Sequence, residues 1–133
     1  MGLGKDLTKI LKNGSIIALR GSIGAGKTCF AKGIAGGLKI KEEIISPTYT
    51  IISEYEGLLN EKPVIIFHID AFRLKGSDDF LAIGGEEIIF GNGITIIEWS
   101  ENIVDLIPKN AIFVDIEYID ENKRQICISQ EYI

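Results

Sequence analysis

The run from Gly21 to Thr28 is the clearest chemical signal in this 133-residue chain, and it reads Gly-Ser-Ile-Gly-Ala-Gly-Lys-Thr. A phosphate chain needs several backbone N–H donors around it, and a glycine-rich turn that opens a helix supplies them without side-chain clashes. In this GxxxxGK[ST] pattern Lys27 places an ammonium group on the outer phosphates, and the Thr28 hydroxyl takes one position on magnesium. The run therefore predicts a site for a nucleoside triphosphate together with Mg²⁺.

The predicted nucleotide contacts extend over the whole loop, the residue after it and one aromatic residue elsewhere in the chain. They are Gly21, Ser22, Ile23, Gly24, Ala25, Gly26, Lys27, Thr28, Cys29 and Trp99. Trp99 either belongs to the core or packs its ring beside the nucleotide, and its position next to an acidic residue favours the second interpretation.

Two acidic residues compete for the roles that a phosphate loop cannot fill, which are to bind the metal and to orient the attacking water. Glu98 directly follows the strand-like run 94–97, and Asp70 follows Val64–Phe67 after two further residues. Strand C-termini are where open α/β sheets place their ligand groups. We therefore predict Lys27, Asp70 and Glu98 as the catalytic residues, with Thr28 and one of the two carboxylates on the metal. A solvated acid at a strand end is the alternative for either carboxylate.

His68 and Arg73 flank Asp70 and invite a catalytic interpretation. His68 is the only histidine of the chain, and a lone histidine is more often a structural or hydrogen-bonding residue than a catalyst. Arg73 could reach a phosphate, but an ion pair that holds the loop is equally compatible with its position.

The surrounding pattern predicts the elements that position these residues. Helical spacing of apolar residues and capping signals predict short helices, namely from Leu3 to Leu11, from Thr28 to Leu38, from Ser77 through Phe80, Leu81 and Ile83, and from Ser100 as the cap to Ile107. Runs of β-branched and apolar residues predict strands at Ser15–Arg20, Thr48–Tyr55, Val64–Phe67, Ile94–Ile97, Ala111–Tyr118 and Arg124–Ser129. A loop is predicted from Gly57 to Lys62, and a polar turn at 120–122 joins the last two strands.

Length and order of these elements predict the fold. A chain of 133 residues suits one domain, 1–133. Strand, glycine loop and helix in succession predict an α/β, three-layer P-loop NTPase-like fold with a mixed, mainly parallel central sheet and an antiparallel C-terminal hairpin.

The amino-acid composition limits the kinds of partner and cellular setting that are expected. Fourteen basic against nineteen acidic side chains give a net charge of −5, which disfavours unaided binding to RNA or DNA. The two cysteines, Cys29 and Cys127, lie far apart without metal-ligand spacing, so a reducing, cytoplasmic setting is expected. No apolar run approaches the ~20 residues of a membrane span, so no membrane association is expected.

Four blocks taken together resemble the TsaE (YjeE) family of small bacterial P-loop ATPases. They are Gly21–Thr28, Ser46–Thr50 (Ser-Pro-Thr-Tyr-Thr), His68–Arg73 (His-Ile-Asp-Ala-Phe-Arg) and Ile97–Trp99 (Ile-Glu-Trp). The family's motifs read GDLGAGKTT, SPTF or SPTY, HxDxYR and a strand ending in EW, in the same order. The match covers roughly residues 3 to 108 and is far more specific than the phosphate loop alone.

The resemblance implies a Mg-dependent ATPase that acts with two partner proteins, TsaB and TsaD, in the N6-threonylcarbamoyl modification of adenosine 37 in ANN-decoding tRNAs. In that family ATP hydrolysis serves the repeated cycle of the assembly, and the transfer itself belongs to TsaD. Contact with tRNA is therefore expected only indirectly, through the complex. By position, Glu98 would be the metal-side acid, Asp70 would orient or activate the water, and Ser46–Thr50 would form a switch-like loop near the γ-phosphate.

Three positions depart from the family's pattern. Ser22 replaces the usual aspartate and Cys29 the usual second threonine, and serine and cysteine preserve little of the chemistry that those groups would bring to metal or water binding. Phe72 replaces the usual tyrosine, so the ring stays and the hydroxyl is lost.

Three other functions are compatible with a phosphate loop. A small-molecule kinase would use Asp70 on a substrate hydroxyl, but it needs an acceptor pocket and a lid for which the chain leaves little room. A GTP-dependent switch lacks its Asn-Lys-x-Asp guanine-reading motif here. A non-enzymatic, nucleotide-gated binding module is the third alternative, and the sequence leaves it open.

Overall fold

The computed structural model describes residues 7–21, 27–40, 52–120 and 123–129. Six strands of these ranges form one sheet: β1 Ile16–Gly21, β2 Ile52–Leu59, β3 Lys62–Asp70, β4 Ile94–Glu98, β5 Ile112–Asp120 and β6 Lys123–Ser129. Their order is β2-β3-β4-β1-β5-β6. The four central strands are parallel, whereas β2 and β6 pair antiparallel at the two edges. The predicted mixed, mainly parallel sheet with a C-terminal hairpin is confirmed.

Helices cover both faces of the sheet. The α-helices are α1 Lys27–Gly37, α2 Ser77–Ala82 and α3 Gly85–Ile89, and the 3-10 helices are Thr8–Ile10, Ala71–Arg73 and Ser100–Leu106. One apolar cluster packs α1 on the sheet, and a second packs α2, α3 and the last 3-10 helix on the opposite face. The predicted three-layer arrangement is therefore confirmed.

The central strands are buried on both faces. All five residues of β4 are buried, and in β1 Ile17 and Leu19 face α1 while Ile16 and Ala18 face the other layer. Parallel strands covered by helices on both sides require such continuous apolar runs. These runs therefore form the rigid frame on which the strand-end residues are mounted.

Helix α1 carries the predicted apolar stripe, with Phe30, Ile34 and Leu38 all buried. Beyond its end the Leu58 amide of β2 donates to the Leu38 carbonyl at 2.6 Å. Gly57 makes this approach possible, because a Cβ there would lie 2.6 Å from the same carbonyl oxygen. This contact joins the chain beyond α1 to the edge of the sheet.

The prediction of a loop from Gly57 to Lys62 is wrong. β2 runs to Leu59, β3 begins at Lys62, and only Asn60 and Glu61 connect them. Both turn residues have positive φ, +51° and +66°, as a two-residue hairpin turn of the primed type requires. Glu61 is not a residue typical of such a turn, so the residue pattern did not indicate it. Residues 48–51 of the predicted strand Thr48–Tyr55 lie outside the described residues.

Two helix predictions need correction. In the described part of the predicted Leu3–Leu11 helix, Leu7 is α-helical and is followed by the 3-10 helix Thr8–Ile10, whereas residues 3–6 lie outside the described residues. Ile10 is 57 % exposed rather than packed, while Leu7 and Leu11 are buried. The helix at Ser77 exists and buries Phe80, but it ends at Ala82.

The apolar residues that were predicted to continue the buried face of that helix are not buried. Leu81 and Ile83 are exposed, and the chain turns through a left-handed Gly84 into α3, which the apolar pattern did not reveal. Among the described helices, none has the length and apolar character needed to cross a membrane.

Candidate functional site

Three strand ends meet at one edge of the sheet. Because β3, β4 and β1 are parallel, their carboxyl ends lie together, and the register pairs Asp70 with Glu98 and Glu98 with Leu19. Gly21, the first residue of the glycine-rich run, lies two residues beyond Leu19 at the end of β1. The structure thus brings Gly21, Asp70 and Glu98 to the same edge, where open α/β sheets bind their ligands.

The side chains of this edge also share a face. Successive residues of a strand alternate between the two faces, and Ile66 and Ile96 belong to the cluster under α1. His68 and Asp70 follow Ile66 by two and four residues, and Glu98 follows Ile96 by two, so all three lie on the α1 side of the sheet. This is the side on which the helix that follows the phosphate loop begins.

The phosphate loop itself is described in part. Lys27, Thr28 and Cys29 form the first turn of α1, as the glycine-loop pattern requires. The predicted contacts of Ser22, Ile23, Gly24, Ala25 and Gly26 lie outside the described residues, as does the predicted switch-like loop 46–50. Gly21 has φ of +148°, a region that residues with a Cβ avoid, so glycine is the unstrained choice at this strand end.

Glu98 is almost completely buried, with 4 % of its surface exposed. Its Oε2 lies 2.5 Å from Nε2 of His68, whose side chain is fully buried. Burial of a carboxylate is costly without a partner, and this contact supplies one. The interpretation of His68 as a hydrogen-bonding residue is confirmed. The other ring nitrogen, Nδ1, is buried without a hydrogen-bond partner among the described residues.

Asp70 differs from Glu98 in environment although the two are neighbours. It is half-buried, and its Oδ1 accepts a hydrogen bond of 3.0 Å from the Phe72 amide. It thereby caps the 3-10 helix Ala71–Arg73. The partly exposed carboxylate of Asp70 is thus held by the backbone of its own loop, and the buried carboxylate of Glu98 is held by the side chain of His68 on the adjacent strand.

Trp99 follows Glu98 in a left-handed conformation, with φ 60° and ψ 42°. A residue with a Cβ pays ~1–2 kcal/mol for that region, so the surrounding contacts must hold it there. Its ring lies 4.9 Å from the ring of Phe72 with planes tilted by 51°, a favourable aromatic geometry. Phe72 is 53 % exposed, whereas Trp99 is partly buried and packs against the apolar cluster under α2 and α3, on the face opposite α1. The predicted place of Trp99 beside the nucleotide stays a prediction, and its contact with Phe72 was not predicted.

Ser100 does not cap the following helix, contrary to prediction. The N-cap position of the 3-10 helix Ser100–Leu106 is Trp99, and no side-chain cap bond is made. The Ser100 hydroxyl is buried and donates instead to the Leu19 carbonyl at 3.2 Å. Two residues on, the side-chain Nδ2 of Asn102 donates to the Ala71 carbonyl at 2.8 Å. These bonds tie the segment after β4 to both neighbouring strand ends.

Arg20, adjacent to Gly21, is paired away from the predicted phosphate site. Its guanidinium makes two bonds to Asp115, of 2.6 and 2.8 Å, across the registered pair of β1 and β5. It also lies 5.7 Å from the centre of the Phe113 ring. Of Arg73 only the backbone is described, in the 3-10 helix after β3.

Donor chemistry at the strand ends suits magnesium. Mg²⁺ prefers oxygen ligands and is usually held by one or two carboxylates together with substrate phosphates rather than by a cage of protein ligands. Within the described residues no three histidine, cysteine or acidic side chains are grouped as such a cage. Glu98 and Asp70 side by side, next to the phosphate loop, match the carboxylate-plus-phosphate kind of site.

The sheet order, the two covering layers and the strand–loop–helix unit at Gly21 place the chain in the P-loop class of α/β folds. A solved structure of this class, YdiB of Bacillus subtilis, superposes with a TM-score of 0.70 at 30% identity, over 93% of this chain and 73% of that one.

The family follows from the sequence comparisons. The family described as "Threonylcarbamoyl adenosine biosynthesis protein TsaE" matches residues 1–126. A protein named tRNA threonylcarbamoyladenosine biosynthesis protein TsaE from Treponema pallidum is 36% identical over 95% of this chain and 90% of its own length. One of the same name from Nostoc is 40% identical over 94% and 76%. The chain belongs to the TsaE family, and the resemblance found in its motifs is confirmed.

Proposed function

We propose that this protein is a magnesium-dependent ATPase that hydrolyses ATP to ADP and phosphate. The observation that carries the proposal is the registered pair Asp70 and Glu98 at the strand ends beside Gly21, on the face where α1 begins. Hydrolysis of a phosphoanhydride needs a metal-side acid and an oriented water next to a phosphate loop. The two environments suit these two tasks.

The buried Glu98 suits the metal side, because its burial and its contact with His68 fix its position. Asp70 suits the water side, because it is half-buried and its other contact leaves it at the edge of the site. Lys27 and Thr28 would hold the phosphates and the metal. When bound, Mg²⁺ would neutralise the charge that develops on the phosphate oxygens.

The aromatic pair Trp99 and Phe72 supports a nucleotide at this edge. Phe72, two residues after Asp70, is 53 % exposed and offers a ring surface for a base or ribose, and Trp99, partly buried against the cluster under α2 and α3, holds that ring in place. The tyrosine usual at position 72 in the family is replaced by Phe72, and the ring contact with Trp99 is made without the hydroxyl.

The ATPase is proposed to act in the tRNA threonylcarbamoyladenosine pathway together with TsaB- and TsaD-type proteins in the cytoplasm, as a single domain. Membership of the TsaE family supports the pathway. The net charge of −5 supports an indirect relation to tRNA, since a protein that binds a phosphate backbone by itself generally presents an excess of positive charge. Turnover is expected to be slow until the partners are added.

Replacement of Lys27 by alanine tests the nucleotide site. We expect Lys27→Ala to abolish ATP binding in calorimetry and phosphate release in an ATPase assay. Lys32→Ala is the matched control, because Lys32 lies exposed on the same helix and should leave both unchanged. If Lys27→Ala hydrolysed ATP at the wild-type rate, the proposal would be wrong. Wild-type assays with and without the two partner proteins test the partner dependence, and competition of ATP with GTP tests the base.

A further inference from the structure

His68 is placed where an apolar side chain would serve the core better. It lies on the α1 face of β3, two residues after the buried Ile66 and in register with the buried Ile96 of β4. Its side chain is fully buried, and Nδ1 has no partner within the described part of the chain. A buried nitrogen without a hydrogen bond costs stability. Something other than core packing therefore accounts for a histidine here.

The contact with Glu98 supplies that reason. Because His68 pairs in register with Ile96, and Glu98 follows Ile96 by two residues on the same face, the imidazole reaches the carboxylate diagonally across two parallel strands. A carboxylate accepts hydrogen bonds and an imidazole N–H donates them, so in this contact Nε2–H is the donor and Oε2 is the acceptor. The bond holds one oxygen of a side chain that otherwise has several rotamers.

We propose that His68 is a positioning residue for Glu98, fixing its carboxylate in the orientation that magnesium requires. The inference rests on the proposed function, since it assigns Glu98 to the metal. Groups that hold a metal-bound ligand in place are expected to affect metal affinity ~10–100-fold when they are removed. The imidazole itself contacts neither nucleotide nor metal in this assignment.

Glutamine and asparagine separate the positioning role from a merely structural one. The amide nitrogen of glutamine can reach the place of Nε2, whereas that of asparagine reaches only the place of Nδ1. His68→Gln therefore keeps a donor for Glu98, and His68→Asn removes it while keeping a polar side chain of similar chemistry. Binding of a non-hydrolysable ATP analogue is measured by calorimetry while Mg²⁺ is titrated, and thermal unfolding confirms that each variant is folded.

We expect His68→Asn to raise, by ~10-fold or more, the Mg²⁺ concentration at which binding of the ATP analogue reaches half of its maximal enhancement. His68→Gln should stay close to the wild type, and nucleotide binding in EDTA should be the same for all three. When Glu98→Gln is also present, proteins with histidine and with asparagine at position 68 should have the same Mg²⁺ midpoint, because the group being positioned is no longer a carboxylate. If His68→Asn does not fold, His68→Phe, which fills the space without a donor, takes its place with the same expected loss.

Equal Mg²⁺ midpoints for the asparagine and glutamine variants would overturn the inference, as would a shift that persists in the Glu98→Gln background. Both results leave the proposed ATPase untouched if the wild type still responds to Mg²⁺. A wild-type protein that binds the analogue without any response to Mg²⁺ would overturn the proposed function and, with it, the role of His68.

Discussion

Removal of the Glu98 side chain is expected to destabilise the fold as well as to stop hydrolysis. Glu98→Ala leaves the Nε2 donor of His68 without its partner in a fully buried position. A buried donor that loses its acceptor costs ~1–3 kcal/mol. Glu98→Gln keeps a carbonyl oxygen for the same donor and forfeits only the charged character of the bond, ~1 kcal/mol or less.

These free energies convert to melting temperatures through the size of the protein. An unfolding entropy of ~2.1 cal/mol/K per residue gives ~0.28 kcal/mol/K for 133 residues. Glu98→Ala should therefore melt ~4–11 °C below the wild type, and Glu98→Gln at most ~4 °C below. Both variants should bind ATP and lose hydrolysis, because each lacks the metal-side carboxylate.

Thermal unfolding followed by circular dichroism and phosphate release measure the two effects separately. Glu101→Ala is the matched control, because Glu101 is exposed on the adjoining 3-10 helix and its loss should stay within ~0.5 kcal/mol. The reasoning is refuted if Glu98→Ala melts at or above the temperature of Glu98→Gln.

Further predictions concern the neighbouring contacts. Asp70→Asn should keep ATP binding and lose most phosphate release in a single-turnover assay, because its amide cannot activate water. Asp115→Ala should cost ~1 kcal/mol in urea unfolding by unpairing Arg20, and the loss should shrink at high salt because the pair is partly exposed; an effect on ATP affinity instead would assign Arg20 to the phosphates. Ser100→Ala should lower stability by ~0.5–1.5 kcal/mol, since the hydroxyl donates to the Leu19 carbonyl; an unchanged melting temperature would contradict this.

The central strands were predictable because they are near-continuous apolar runs. The run 94–97 could be placed without tertiary information, since a strand buried on both faces is apolar at nearly every position. Order along the chain, with a glycine loop after β1, then fixed the P-loop class. The placement of Asp70 and Glu98 at one edge followed from the same rule that parallel strands end together.

Short elements could not be predicted in the same way. α3 spans only Gly85–Ile89, which is too short to show a helical period, and its position depends on packing against the sheet. The Ser100 hydroxyl could equally cap a helix or reach another strand, and only the proximity of Leu19 decides between them. The bond from His68 to Glu98 was hidden for the same reason, because it depends on the register of two strands that are distant in sequence.

The position of β4 in the sheet has a consequence for how the protein is made. β4 lies between β1 and β3, both of which precede it in the chain, and it pairs with each of them. Until residues 94–98 arrive, the two earlier strands have no common neighbour to align them. Such non-local pairing is slow to form, so Asp70 and Glu98 cannot be brought together before β4 has been synthesised. The proposed nucleotide site should therefore form only after β4 has paired with both β1 and β3.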